Sequence, residues 1–339
     1  CRGIRHRWIS PRGESPNWPP RGKTVNHSRL WGMNVSQING IIILDKPPEI
    51  SSARVVAKVK SVLKARKVGH TGTLDPMATG VLVCCVNQAT RIAQFLIHSK
   101  KRYCATLRLG IETDTQDATG KVISDTGPTA VSVERIGSVI SQFEGSYLQS
   151  PPAYSALKLK GIPLYRYARA GRPVHKPARR VMIDTIEIRS IAPPLVRFDV
   201  TCSSGTYIRT LCADIGRELG CGGHLEALRR TGNGRFTTDD ALTVPELEAL
   251  ASKDRVSEQM VSMADALSDL PEATANKALT LKIKHGRVIH AYDIGRLPLN
   301  GDDAPQNTQT YLKLLDAQRN LLAIVRQHRQ NDRLSYVCV

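Results

Sequence analysis

Residues 69–80 read Gly-His-Thr-Gly-Thr-Leu-Asp-Pro-Met-Ala-Thr-Gly, and the apolar run 81–86 follows directly. Gly69, Gly72 and Gly80 are expected to permit turns and close backbone approaches that a side chain blocks. Pro76 fixes its own φ and pushes Asp75 away from helical geometry. The pattern predicts a loop that presents one carboxylate, followed by a buried strand over 81–86. On spacing alone two readings stand: an ordinary tight turn with a solvated aspartate, or a carboxylate held in a set direction. No Gly-Lys-Ser/Thr closes the run, so it is not a P-loop. The glycine spacing also fails the dinucleotide fingerprint.

Working outward, residues 41–44 form a short apolar strand, and Ser51 or Ser52 caps a helix with Val55, Val56, Val59, Val62 and Leu63 on one face. Residues 90–97 read as helical, 103–109 alternate as a strand, and 110–120 form a polar, turn-rich loop. A helix over 131–143 turns Ile136, Val139, Ile140 and Phe143 inward. Two alternating strands, 182–191 and 195–202, precede a helix over 207–219. Strands interrupted by helices without a regular βαβ repeat predict an α+β fold, with a mixed, largely antiparallel β-sheet flanked by helices. After about residue 270 the texture changes. Leu281, Ile283, Gly286, Val288 and Ile289 suggest a short strand with a turn, and 321–325 a second strand.

At 339 residues the chain is long enough for two domains. Lys plus Arg exceed Asp plus Glu by 48 to 30, a net charge of +18, which favours a polyanionic partner. No apolar run approaches the roughly 20 residues of a membrane helix. Eight cysteines at irregular spacing are read as reduced, structural thiols of a cytoplasmic protein. Cys221 and His224 have a ligand-like spacing, but no second close pair accompanies them, so no metal site is expected. Residues 1–32 stand apart, with all three tryptophans, four prolines, seven Arg or Lys and the single acid Glu14. One reading of such an Arg-rich, acid-poor leader is an organelle transit peptide; the prolines break the amphipathic helix such signals form and favour upstream sequence or a disordered extension.

Residues 145–183 carry the clearest binding signal. They contain no acid but include Lys158, Lys160, Arg166, Arg169, Arg172, Lys176, Arg179 and Arg180, interleaved with Tyr147, Tyr154, Tyr165 and Tyr167. Cations for phosphates and aromatics for unstacked bases suit a loop RNA. A solvated basic face is the plainer reading of a charge run, and nearly forty residues without an acid weigh against it.

Taken together, the loop 69–80, Leu44-Asp45-Lys46-Pro47, Lys101-Arg102-Tyr103, the run 113–117, Tyr154-Ser155-Ala156-Leu157-Lys158, the run 204–209, Gly220-Cys221-Gly222-Gly223-His224 and Leu228-Arg229-Arg230 resemble, in order, the bacterial TruB family of tRNA pseudouridine-55 synthases. The resemblance runs from about residue 39 to 230. It implies a pseudouridine synthase catalytic domain over 33–269, and 270–339 reads either as a small β-rich, PUA-like domain or as a simple C-terminal appendage. It implies isomerisation of one uridine in the TΨC loop of tRNA, without cofactor or metal. Asp75 is the implied nucleophile, Arg209 its partner, and Tyr103 the aromatic that stacks on the flipped uracil. His70 is implied to intrude into the RNA stack, and Tyr207 and Leu228 to line the pocket. Lys46, Tyr154, Lys158 and Asp114 complete the expected RNA contacts, and a monomer is expected. A buried aspartate gains about 3–5 pKa units by desolvation, of which a nearby cation offsets about 1–3. Arg209 is therefore expected to keep the carboxylate charged and aimed. The family usually has glycine two residues after its Lys-Pro, whereas this chain has Glu49. The rival expectation is a non-catalytic tRNA-binding or folding protein, which has no use for a desolvated aspartate.

Overall fold

The computed structural model describes residues 38–127, 131–295, 311–327 and 333–338. The expected leader over 1–32 lies outside the described residues. In chain order the first elements are β1 (Gly40–Lys46), α1 (Ser52–Val62), β2 (Val68–His70), β3 (Thr79–Val86), α2 (Ala93–Ile97) and β4 (Lys101–Leu109). A hairpin of β5 (Ile111–Thr113) and β6 (Val122–Asp125) precedes α3 (Val133–Ser141) and β7 (Gly145–Gln149). The short strands β8 (Lys158–Leu159) and β9 (Ile162–Pro163) lead into α4 (Leu164–Arg169) and β10 (Arg179–Ala192). Next come β11 (Leu195–Cys202), α5 (Ile208–Glu218), β12 (Gly223–Asn233), β13 (Phe236–Thr237) and α6 (Val244–Ser252). The C-terminal part holds β14 (Glu272–Thr274), α7 (Lys277–Lys284), β15 (Ile289–His290) and α8 (Ala291–Ile294). It closes with β16 (Tyr311–Leu315), β17 (Leu321–Gln327) and β18 (Arg333–Cys338).

The main sheet runs β1-β3-β12-β4-β11-β10-β7, with β2 added beside β3 and β13 beside β12. Every pairing in it is antiparallel except β12 with β3. The fold is thus α+β with a mixed, largely antiparallel sheet, as the sequence predicts. β14 to β18 form a separate five-stranded sheet in the order β14-β16-β17-β18-β15.

Burial explains the two kinds of strand. β1 and β3 are covered on both faces: Ile42, Leu44, Leu82 and Cys84 pack under α1 and α6. On the other face Ile41, Ile43, Val81 and Val83 pack against Ile92 and Leu96, with Ile324 of β17 in the same cluster. Strands buried on both sides read as continuous apolar runs. β4 instead alternates, because only its Tyr103, Ala105, Leu107 and Leu109 face a core built with α3 and α5. Phe198 sits at its centre, fully buried. Truncating such a side chain to alanine costs about 3–5 kcal/mol.

Some expectations change. The predicted loop 110–120 contains β5, paired with β6. Of the predicted strand at 281–289, residues 281–284 end the helix α7 and only Ile289 lies in a strand, β15. Asn276 caps that helix by accepting from the Leu279 amide, and Leu279 and Ile283, four apart, are its buried residues. Of the three loop glycines, Gly80 alone requires its freedom: its φ is +100°, and a Cβ there would strike the Arg230 backbone of β12. Gly69 and Gly72 have space for a Cβ. Glu49 takes the left-handed conformation, φ 63°, at the turn where the family has glycine, a strain of about 1–2 kcal/mol.

Candidate active site

The loop that follows β2 is fixed residue by residue. The Thr71 amide donates to Val83 O, and its hydroxyl accepts from Asn233 of β12 at 3.0 Å. Arg230, buried on β12, donates from Nη2 to Gly72 O at 3.0 Å, from Nη1 to Thr73 O at 3.5 Å and from Nε to Val81 O at 2.7 Å. Ser52 in the first turn of α1 bonds both the amide and the carbonyl of Leu74, each at 2.8 Å. Lys46, fully buried at the end of β1, donates to Pro47 O, Ile50 O and Pro76 O at 2.7–3.0 Å. Buried carbonyls and buried cations satisfy one another here, which removes the main cost of enclosing either.

Asp75 emerges from this frame with its side chain 36% exposed. Arg209, in the first turn of α5, is buried and reaches it twice. Nη2 donates to Oδ1 at 3.4 Å, and Nε lies 2.9 Å from Oδ2 as an ion-pair contact that lacks hydrogen-bond alignment. The guanidinium is itself held by Thr115 O and Tyr154 O at 2.9 and 2.8 Å, and Asp117 Oδ2 stands 3.6 Å from Nη1. Asp117 is buried, and its Oδ1 accepts from the Thr115 hydroxyl and from both the amide and hydroxyl of Thr119. A buried arginine between two carboxylates aims the more exposed one.

Two cavities share the wall that carries Asp75, Arg209 and Ser155. The first, about 570 Å³, is lined by Leu74, Lys101, Tyr103, Tyr207, Leu228 and Arg230 among others. The second, about 760 Å³, includes His70, Asp114, Tyr154, Tyr165 and Arg169. Tyr103 and Arg230 are cross-strand partners on β4 and β12. Burial pushes the Tyr103 phenol above its usual range, and Arg230 works against that shift. Lys101 is held down to about 8 by burial and then by the charge of Arg230. Burial does the same to Lys46, also about 8, although Asp75 raises it. His70 is lowered by burial and then by Arg230, so it is neutral at pH 7. Its Nδ1 accepts the Gly72 amide at 3.2 Å, which puts the ring proton on Nε2. Gln149 clamps Tyr207, accepting from its amide and donating to its carbonyl. The Arg179 guanidinium lies over the Tyr207 ring, 5.2 Å from its centre.

The structure therefore brings Asp75, Tyr103, Arg209, Tyr207 and Leu228 to one cavity, and His70, Tyr154 and Asp114 to its neighbour. Tyr154 and Asp114 face each other at 3.5 Å. Two expected contacts lie elsewhere. Lys46 is enclosed with its donors spent on carbonyls, so it braces the loop and reaches neither cavity. Lys158 is exposed on β8 and lines neither cavity. Arg179, grouped in the sequence with phosphate-binding cations, is engaged by Tyr207 and the Gly205 carbonyl. Lys101 and Arg230 are structural parts of the site that the sequence reading did not single out. Alternation along β4 sets Lys101 on the face of Tyr103, whereas the bulged strand β12 gave no such signal for Arg230.

Known proteins agree with this architecture. Residues 60–208 match the N-terminal domain of the TruB family pseudouridylate synthases, and residues 209–272 match the tRNA pseudouridylate synthase B C-terminal domain. The fold is that of a pseudouridine synthase, an isomerase. The tRNA pseudouridine synthase B of Syntrophotalea carbinolica is 47% identical over 234 residues, spanning 69% of this chain and 76% of that protein. The protein of the same name in Burkholderia mallei is 40% identical over 289 residues, 85% of this chain and 93% of that one. The chain belongs to the TruB family. Among solved structures, a chain of a Cbf5–Nop10–Gar1 complex superposes with a TM-score of 0.67 at 27% identity, covering 88% of this chain and 83% of that chain.

Proposed function

We propose that this protein converts uridine 55 in the TΨC loop of tRNA to pseudouridine, acting as a cytoplasmic monomer without cofactor. The catalytic domain spans 33–269, and residues 270–339 form an appended PUA-like domain. The observation that carries the reading is Asp75, presented on the shared wall of two cavities and gripped by the buried Arg209. In this reaction the N1–C1′ bond breaks, a C5–C1′ bond forms, and a proton passes from C5 to N1, so product and substrate are isomers. The Asp75 carboxylate serves the separated sugar as nucleophile. Tyr103 stacks on the base, while Tyr207 and Leu228 enclose the ring. A uridine inside a folded loop is out of reach, so the base must turn out of its stack, with His70 filling the space it leaves.

The exposed cations of segment 145–183 fit the phosphates of the stem-loop. The names of the curated relatives support tRNA as substrate. Incubating the pure protein with an unmodified tRNA transcript and mapping pseudouridine by sequence position tests the reading. Conversion at position 55 alone is expected. Tight binding without conversion would establish the rival, a non-catalytic tRNA-binding protein.

A further inference from the structure

The floor of the first cavity holds two cations that no anion balances. Lys101 and Arg230 are both nearly inaccessible, and neither has a carboxylate within ion-pair distance among the described residues. Their protein partners are uncharged: Ile97 O and Ser99 O for Lys101, and the Val81, Thr73 and Gly72 carbonyls together with the Tyr103 phenol for Arg230. The two sit side by side. From a Cβ position built on Gly72, Arg230 Nη1 is 3.4 Å away and Lys101 Cε 3.7 Å away. These bonds use at most four of the five guanidinium N–H groups and two of the three ammonium N–H groups, so donors remain on both. A buried charge is ordinarily paired, because desolvation costs several kcal/mol per ion. Two like charges enclosed together call for an anion.

The walls say which kind. Around these cations stand Leu74, Tyr103, Tyr207, Ile208 and Leu228. A hydrated, tetrahedral phosphate would lose its water against such surfaces, whereas a planar ring fits them. We propose that Lys101 and Arg230 form an electrostatic site for the detached uracil, holding it as a ring anion between its two attachments to the ribose. This rests on the isomerase reading above and deepens it. When the C1′–N1 bond breaks, its electron pair stays on N1 and spreads to the ring oxygens, and the deficit at C1′ is met by the Asp75 carboxylate. The anion then attacks C1′ through C5 and releases the Asp75 carboxylate with its electron pair; N1 gains a proton and C5 loses one, so the whole balances as an isomerisation. Fixed donors in a dry site stabilise developing charge without having to reorganise. The low Lys101 value, about 8, agrees with an ammonium that has no anionic partner in the free protein.

The test compares stem-loop RNAs carrying uridine or 5-fluorouridine at the target position, reading loss of the N-glycosidic bond in single turnovers. 5-Fluorouracil is the more acidic base, so it departs as an anion with less help, and its C5 carries no proton to remove. Lys101→Met is expected to slow the uridine RNA at least about tenfold more than the 5-fluorouridine RNA, with Lys101→Arg recovering most of the loss. Arg230→Lys, which keeps a cation in the core but draws it back from the cavity, is the second variant should Lys101→Met fail to fold, and it should show the same ordering. Equal slowing of both RNAs, or no slowing, would overturn the proposal. A uniform loss of RNA affinity with a shallower salt dependence would overturn it too, and would make the pair a phosphate contact. If the unaltered protein left uridine intact, the isomerase reading itself would fall before any variant was compared.

Discussion

Lys158, Lys160, Arg166 and Arg172 lie exposed in a segment without acids, whereas Lys46, Lys101, Arg209 and Arg230 lie buried beneath the cavities. The residue types are the same and the physics is opposite. Exposed cations are solvated, screened and free to meet phosphates, so their contribution tracks ionic strength. Among the buried ones Lys46 and Arg230 hold backbone carbonyls of the Asp75 loop and Arg209 orients its carboxylate, and salt barely reaches them. Net charge therefore speaks for the partner, and only burial tells which cations shape the site.

The largest expected effect breaks the buried set. Arg209→Ala strands Asp117 and two carbonyls in the interior and releases Asp75. Breaking a buried pair from one side costs about 3–5 kcal/mol, so single-turnover isomerisation should fall at least about a hundredfold while tRNA affinity stays within about tenfold. A change confined to affinity would recast Arg209 as a phosphate contact. The exposed set should behave the other way. Reversing Lys158, Arg166 and Arg172 to glutamate should weaken tRNA binding and flatten the plot of log K against log salt by about 2–3 units. Turnover at saturating tRNA should hold. Arg179 is left out of that set because it stacks on Tyr207. An unchanged slope would mean that this face points away from RNA.

A smaller effect follows from the pH dependence of the buried set. Folded Lys101 gives up its proton at about 8, against 10.5 for the unperturbed group. Between those values the unfolded chain binds more protons, so the contribution of Lys101 to stability rises with pH through that window and is lost as pH falls through about 8. Urea unfolding of the unaltered protein and of Lys101→Met at pH 7, 8 and 9 should show the variant falling progressively behind. Parallel trends would mean that the folded and unfolded ammonium titrate alike.

How much was legible follows the same division. β1 and β3 declared themselves as unbroken apolar runs because both faces are covered, and α5 by its Ile208, Leu211, Cys212 and Ile215 spacing. The Asp75 loop and Arg209 stood in motifs with recognisable wording. β12, the strand between β3 and β4, did not show. Bulges between Leu225 and Ala227 and between Arg230 and Gly232 break its alternation, and its buried positions include His224 and Arg230. The role of Lys46 was equally hidden, since what buries it is a set of carbonyls up to thirty residues away. A lysine in a motif reads as a binding group until its neighbours in space are known.

The account turns on the Asp75 carboxylate, and Asp75→Asn tests it most directly, since the amide keeps the size and the hydrogen bonding but cannot serve as nucleophile. With an unmodified tRNA transcript as substrate, the variant is predicted to form no pseudouridine while binding within about tenfold of the unaltered protein, or about 1.4 kcal/mol. Substantial pseudouridine formation by a sequence-verified Asp75→Asn preparation would contradict the account.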